Sequence, residues 1–187
     1  MVHHTLRAMS GGGMYDQLGG GFARYSVDEE WRVPHFEKML YDQGQLLSLL
    51  ADTYRLTDDP TLARVIRQTV EYLERDLTAP NGAFYSAEDA DSEGEEGKFY
   101  VWTMEELRAA LPERELTALV NYHGIEEEGN FEDGKNVLHT SATVAQVAVT
   151  IGGDDDEVEH LLARARGRLF QLREGRVRPH RDEKILT

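Results

Sequence analysis

Two helical stripes of apolar residues, separated by Thr57-Asp58-Asp59-Pro60, constrain this chain more than any other feature. The first stripe is Phe36, Leu40, Leu47, Leu50 and Tyr54; the second is Leu62, Ile66, Val70, Leu73 and Leu77. Asp59 is suited to cap the second helix and Pro60 to open it, because the missing proline N–H costs nothing in the first turn. Two helices across so short a turn make an antiparallel αα-hairpin. A third long stripe, Val158, Leu161, Leu162, Ala165, Leu169 and Leu172, follows Asp154-Asp155-Asp156-Glu157. The acids at its start and Arg164, Arg166, Arg168 and Arg173 towards its end suit the helix dipole.

Other elements are shorter. Thr5 to Ala8 reads as the end of a helix that Ser10 to Gly13 terminates. Pro34 reads as the opening of the helix that carries the first stripe, which places His35 in its first turn. Ala83-Phe84-Tyr85 and Lys98-Phe99-Tyr100-Val101-Trp102 read as the two arms of a β-hairpin around the acidic loop from Glu88 to Glu96. Thr103 with Glu106 forms a capping-box pattern, and a short helix is predicted from Glu113 to Tyr122. Gly124 to Val137 reads as loop, Ser141 to Val149 as one or two helical turns, and Arg176 to Thr187 as loop without a closing element. The recurring unit is a helix pair with a decorated connection. The predicted fold class is therefore mainly α, an α/α toroid built of antiparallel hairpins, with a small β-hairpin near 83–102.

Composition narrows the function classes. The chain has 187 residues, 40% of them hydrophobic, enough for one ordinary domain with a core. Its formal charge is −15, from 35 acidic and 20 basic residues, and its lysines are Lys38, Lys98, Lys135 and Lys184. An acidic, lysine-poor surface suits a protein kept soluble at high salt, a halophilic character. Sequence-independent nucleic-acid binding needs a basic footprint and is disfavoured. No apolar run spans a bilayer, so no membrane partner is expected, and the reading is of a cytoplasmic protein. The absence of cysteine excludes disulfides and thiolate chemistry within the chain. Neither a metal nor another cofactor is expected.

The candidate site gathers around Trp31 to Asp42 and the glycine-rich turn Leu18-Gly19-Gly20-Gly21-Phe22 ahead of it. A neutral histidine at a helix start is suited to general acid/base work, so His35 is a catalytic candidate. Lys38 stands three residues from His35 and four from Asp42. A Lys38–Asp42 surface pair is the plain reading; a shared lining with His35 is the sharper one. Arg24 offers an anion or hydroxyl contact, and Tyr25, Trp31 and Trp102 offer aromatic faces for a sugar. Glycines in the turn allow close backbone approach to a ligand. Asp89-Ala90-Asp91-Ser92-Glu93-Gly94 has acids at positions one, three and five of a calcium-loop pattern. Tyr100 stands where an EF-hand needs Glu, and the flanks read as strands, so that reading fails. Asp89 and Asp91 remain as acid/base carboxylates or as a solvated hairpin tip. His123, Asn130, Glu132, Asn136 and His139 match no zinc spacing. Arg176, Arg178, His180 and Arg181 read as local charge compensation.

Several motifs together carry a resemblance over nearly the whole chain. They are Gly13-Met14-Tyr15-Asp16-Gln17-Leu18-Gly19-Gly20-Gly21-Phe22, Arg24-Tyr25-Ser26, Trp31 and Pro34 to Asp42. Phe84-Tyr85-Ser86-Ala87, Asp89 to Gly94 and Glu96 to Trp102 follow. Gly129-Asn130-Phe131-Glu132, Asn136-Val137-Leu138-His139 and Arg181 to Thr187 complete the set. In this the chain resembles the spermatogenesis-associated, thioredoxin-domain-containing protein family. The resemblance implies a six-hairpin (α/α)6 toroid similar to N-acylglucosamine 2-epimerases, preceded in family members by a thioredoxin-like domain. It implies that residues 1–187 are a single incomplete toroid domain, a fragment lacking that thioredoxin-like domain and the later hairpins. The implied activity is carbohydrate-active, an epimerase or isomerase or a glycoside hydrolase, on a sugar-like small molecule. The alternative is a non-catalytic scaffold that presents a ligand or protein to the thioredoxin-like domain.

Overall fold

A computed structural model describes residues 1–186 of the chain; Thr187, the last residue of one of the quoted motifs, lies outside the described residues. The fold is mainly α, with seven α-helices and small antiparallel sheets among the described residues. The chain divides into two compact units, the first comprising 1–99 and 177–187 and the second 100–176.

The first unit holds helices α1 (Val2–Gly11), α2 (Leu40–Thr57) and α3 (Pro60–Asp76). The α2–α3 turn is built as its sequence predicts. Asp58 takes the left-handed conformation that ends α2, and the Asp59 side chain accepts a hydrogen bond from the Thr61 amide at 2.9 Å. Leu6, Met9, Met14, Tyr15, Phe22, Leu50, Leu62 and Val65 close the core between these helices. The β-layer runs β1 (Lys38–Met39), β2 (Phe84–Glu88) and β7 (Arg181–Leu186) in the order β1-β2-β7, antiparallel throughout. A two-residue hairpin joins β3 (Asp91–Ser92) to β4 (Glu95–Glu96). Its turn residues Glu93 and Gly94 have φ of 54° and 78°, both positive as a tight primed turn requires.

The second unit holds α4 (Met104–Ala110), α5 (Glu113–His123), α6 (Val144–Ile151) and α7 (Asp155–Arg173). Short strands β5 (Trp102–Thr103) and β6 (Lys135–Asn136) pair with each other. The predicted Thr103–Glu106 capping box is present, and Thr143 with Gln146 forms a second one. Leu107, Leu119, Val147, Val158, Leu162 and Leu169 are buried in its core.

Three sequence expectations are corrected. The helix does not open at Pro34. Pro34 bridges to Ser26, residues 35–37 form no helix and turn at Phe36, whose φ is 52°, and Lys38 and Met39 pair with Glu88 and Ala87. The local proline signal yields to pairing with a strand far along the chain, so His35 feels no helix dipole. The two aromatic stretches are not arms of one hairpin: Phe84–Glu88 lies between β1 and β7, whereas Trp102 pairs with Asn136. Residues 181–186 are not loop. Their run Arg-Asp-Glu-Lys carries little β-propensity, but charged residues suit a strand with one open edge.

Candidate functional site

The glycine turn is a packed latch. Asp16 Oδ1 accepts from the amides of Leu18 and Gly19, each at 3.0 Å, while its Oδ2 lies 2.9 Å from Lys38 Nζ. Lys38 also donates to the Gly20 carbonyl at 3.0 Å, and its ammonium sits 4.4 Å from the centre of the Tyr72 ring. Arg75 donates to the Gly19 carbonyl at 2.8 Å. A Cβ on Gly20 would stand 2.3 Å from the Gln68 carbonyl oxygen, and one on Gly21 would stand 2.6 Å from the Tyr72 ring. The close approach that needs glycine is thus to α3. Gln43, fully buried, donates to the Phe22 carbonyl and accepts from the Phe22 amide, which clamps the end of the turn.

The latch draws Lys38 inward. Its side chain and that of Asp16 are only 4% and 6% exposed, so the Lys38–Asp42 surface pair of the sequence reading does not form. The same polar seam continues through the Tyr72 hydroxyl, which donates to Glu88, and through Arg178 at 3.1 Å from Asp76 and 3.5 Å from Glu88. Buried charges survive only when paired, and this seam pairs them.

Ahead of α2, residues 24–26 and 33–37 run as a ribbon. Arg24 N donates to the Glu37 carbonyl, His35 N to the Tyr25 carbonyl, and Val27 N to the Val33 carbonyl. At its end the Glu37 amide donates to the His35 carbonyl at 2.6 Å across Phe36, whose φ is 52°. A three-residue turn with a positive φ at a bulky side chain stores strain, and such strain gathers at functional sites. Asp28 fixes the far end of the ribbon by accepting from the amides of Glu30, Arg32 and Val33. Burial raises the Asp28 carboxyl, but these three donors outweigh it and leave it below its usual range.

The turn holds His35 where it meets two other groups. Its ring stacks on that of Tyr25, with centroids 4.8 Å apart and planes 9° apart. Its Nδ1 lies 2.9 Å from Glu96 Oε1 on β4. Asp91 is the partner of Glu96 across the β3–β4 ladder, so a second carboxylate faces the one that contacts the imidazole. Gly97 permits this approach: its φ is 73°, and a Cβ there would stand 2.5 Å from the Phe36 ring. His35 is about one-third exposed, and Tyr25 is exposed.

The other nominated residues are placed as follows. Arg24 is 3.0 Å from Glu37, and the Glu37 hydrogen bond raises the guanidinium pKa further. Asp42 sits in the first turn of α2. Its Oδ2 is buried and no hydrogen bond reaches it. Burial pushes its carboxyl up; Arg24 opposes this and Glu37 reinforces it. Asp89 is exposed and uses Oδ1 to accept from the Ala90 amide. Trp31 is half-buried and packs on the core of the first unit. Trp102 belongs to the second unit and is buried, its ring 3.9 Å from the Arg176 guanidinium. In that unit Asn130 and Asn136 organise the 124–137 loop. Asn136 accepts from the amides of Glu126 and Asn130, and Asn130 accepts from that of Val137.

The structure therefore brings His35 and Tyr25 together and adds Glu96, with Asp91 opposite Glu96 on the ladder. Glu96 stood only inside a quoted motif; the glycine after it, in a strand-like stretch, was the available signal of a close approach.

Known proteins are similar to this chain along its whole length. The human spermatogenesis-associated protein 20 is 40% identical over a match 211 positions long, covering all of this chain and 27% of that protein. The chain is homologous to a segment of spermatogenesis-associated protein 20. The mouse protein of that name is 38% identical over the same extent, and an uncharacterized protein of Caenorhabditis elegans is 34% identical. The chain thus spans between 27% and 29% of the length of these relatives. No family model matches it. No described helix is long and apolar enough to cross a membrane.

Proposed function

We propose that this chain is part of an (α/α)6 toroid domain that acts on a sugar. Its reaction is proton transfer at the carbon beside a carbonyl, as an epimerase or isomerase requires. What carries the reading is the His35 arrangement: an accessible imidazole, stacked on Tyr25, with Nδ1 against Glu96. A carboxylate at one ring nitrogen fixes the tautomer and leaves Nε2 as the base. Among the described residues, no hydrogen bond engages that Nε2. The exposed Tyr25 edge supplies an apolar surface against which a sugar ring can rest. In this reading Asp91, opposite Glu96 on the β3–β4 ladder, and Asp89 supply an acidic wall. The domain works in a longer protein that also carries a thioredoxin-like domain.

The test uses the full-length protein in D2O with free hexoses and N-acylhexosamines. NMR should show deuterium entering at the carbon beside the carbonyl. His35→Ala should slow that exchange by about 10²-fold or more while saturation-transfer signals from bound sugar persist. Binding without exchange in the unaltered protein would replace this reading with a non-catalytic scaffold.

A further inference from the structure

Away from His35, the connection from α3 to β2 holds a chemically reactive pair. Thr78 bridges to Phe84, Ala79 N donates to the Ala83 carbonyl at 2.7 Å, and Gly82 N donates to the Ala79 carbonyl at 2.9 Å. Pro80-Asn81-Gly82 is thus a three-residue hairpin loop, ended by a glycine whose φ is 84°. Asn81 and Gly82 are both exposed, and nothing lies within 4 Å of where a Gly82 Cβ would stand. Asn81 Oδ1 accepts from the Ala83 amide at 3.1 Å, an Asx turn that folds the carboxamide towards the Gly82 peptide. Asparagine is thermolabile because the next backbone nitrogen can attack its Cγ, and glycine, without a side chain, hinders that attack least. The other three asparagines differ on both counts. Asn121, Asn130 and Asn136 precede Tyr122, Phe131 and Val137. Asn121 donates to the Thr117 carbonyl, Asn130 to the Val137 carbonyl, and the fully buried Asn136 to the Glu126 carbonyl.

We infer that Asn81 is a site of spontaneous deamidation and backbone isomerisation, and that the aged chain is a substrate for an isoaspartyl carboxyl methyltransferase. The loop must first release the Gly82 N–H from the Ala79 carbonyl, a local opening confined to an exposed turn. The Gly82 nitrogen loses its proton to solvent and bonds to Asn81 Cγ. The carboxamide nitrogen takes up a proton and leaves as ammonia, and a cyclic imide remains. Water then opens the ring. Breaking the bond from Gly82 N to Cγ restores the main chain with an aspartyl side chain. Breaking the bond from Gly82 N to the Asn81 carbonyl carbon routes the main chain through Cγ and frees an α-carboxylate, the isoaspartyl form. Either way one water enters and one ammonia leaves. The isoaspartyl form adds a methylene to the loop that the Ala79–Ala83 hydrogen bond closes, directly ahead of β2, so that closure is lost. The freed carboxylate oxygen is the nucleophile such an enzyme methylates. Its O–CH3 bond forms as the sulfonium S–CH3 bond of S-adenosylmethionine breaks.

The test ages the folded protein at neutral and mildly alkaline pH in heavy-oxygen water, then maps tryptic peptides by mass. Asp76–Lys98 carries Asn81, and Glu115–Lys135 carries Asn121 and Asn130 as internal controls. Asn81 should lose its amide progressively, faster at the higher pH, with one heavy oxygen gained and both acid forms present. The control peptide should keep its amides. A purified isoaspartyl methyltransferase with labelled S-adenosylmethionine should label Asp76–Lys98 of aged protein and leave that peptide of fresh protein unlabelled. Asn81→Gln keeps a carboxamide at the turn but cannot close the same ring, so that peptide should lose its label. An Asn81 that converts in urea yet persists in the folded protein would overturn the inference, because the turn would then protect its own amide. Aspartate without isoaspartate would overturn it too, since no imide would have formed. Equal labelling of Asn81→Gln would move the modification to another residue and overturn the assignment.

Discussion

At the scale of single residues, one glycine sets the distance between the two halves of the site. Gly97 has a φ of 73° and would push a Cβ into the buried Phe36 ring, which stands at the centre of the strained turn. Gly97→Ala must either move Phe36 or withdraw β4, and both separate Glu96 from His35. We expect a loss of about 1–3 kcal/mol in stability. The NMR chemical shifts of the His35 ring should move as the Glu96 contact opens. An alanine variant as stable as the parent, with unmoved His35 signals, would show that the hairpin does not hold the imidazole. Glu96 itself carried no signal of this role, because the contact joins residues sixty-one positions apart. His35 was legible as a chemical group. Its partner was not, since the partner is defined by a hairpin whose register depends on a turn at Glu93 and Gly94.

At the scale of elements, legibility follows the range of the forces involved. The α2–α3 turn, the start of α4 and the cap of α7 were readable because Asp59, Thr103 and Asp154 act on amides within three residues of themselves. The start of α2 was misplaced because its N-cap is Met39, which makes no side-chain cap, and because Lys38 answers to Asp16 twenty-two residues earlier. Strand β7 was missed for the same reason: its pairing with β2 is set by sheet context and not by its own charged residues. Asp59 tests the local kind of force. Burial raises its carboxyl, but hydrogen bonds from His3 and the Thr61 amide, with the charge of Arg7, leave it below the usual range. A depressed carboxyl stabilises the fold above its unfolded pKa, near 3.9, and loses that contribution as pH falls through the folded value. Asp59→Ala should therefore cost about 1 kcal/mol at pH 7 by thermal unfolding. Asp59→Asn, which keeps a capping oxygen, should cost less, and its difference from the parent should vanish in acid. A pH-independent difference would mean that the cap acts without its charge.

At the scale of the whole molecule, the second unit interrupts the first. Residues 177–187 return to the first unit after a separate core has been completed by 100–176. They bring back strand β7 beside β2, the Ser86 hydroxyl donates to the Asp182 carbonyl, and Arg178 reaches the buried Asp76 and Glu88. Removing residues 177–187 should leave Glu88 without its arginine, Asp76 with Arg75 alone, and one side of β2 bare. Hydrogen exchange should then show lost protection across Phe84–Glu88, while α5 and α7 of the second unit keep theirs. Equal loss in both units would show that they fold as one cooperative body. The interruption also has a consequence in time. During synthesis the first unit emerges with the buried Glu88 already in place, but its arginine, Arg178, follows only after the whole second unit. At ordinary elongation rates that interval is on the order of ten seconds. For that interval the nascent first unit carries an unfinished sheet and a buried acid awaiting its counter-charge, the state in which a ribosome-associated chaperone has something to protect.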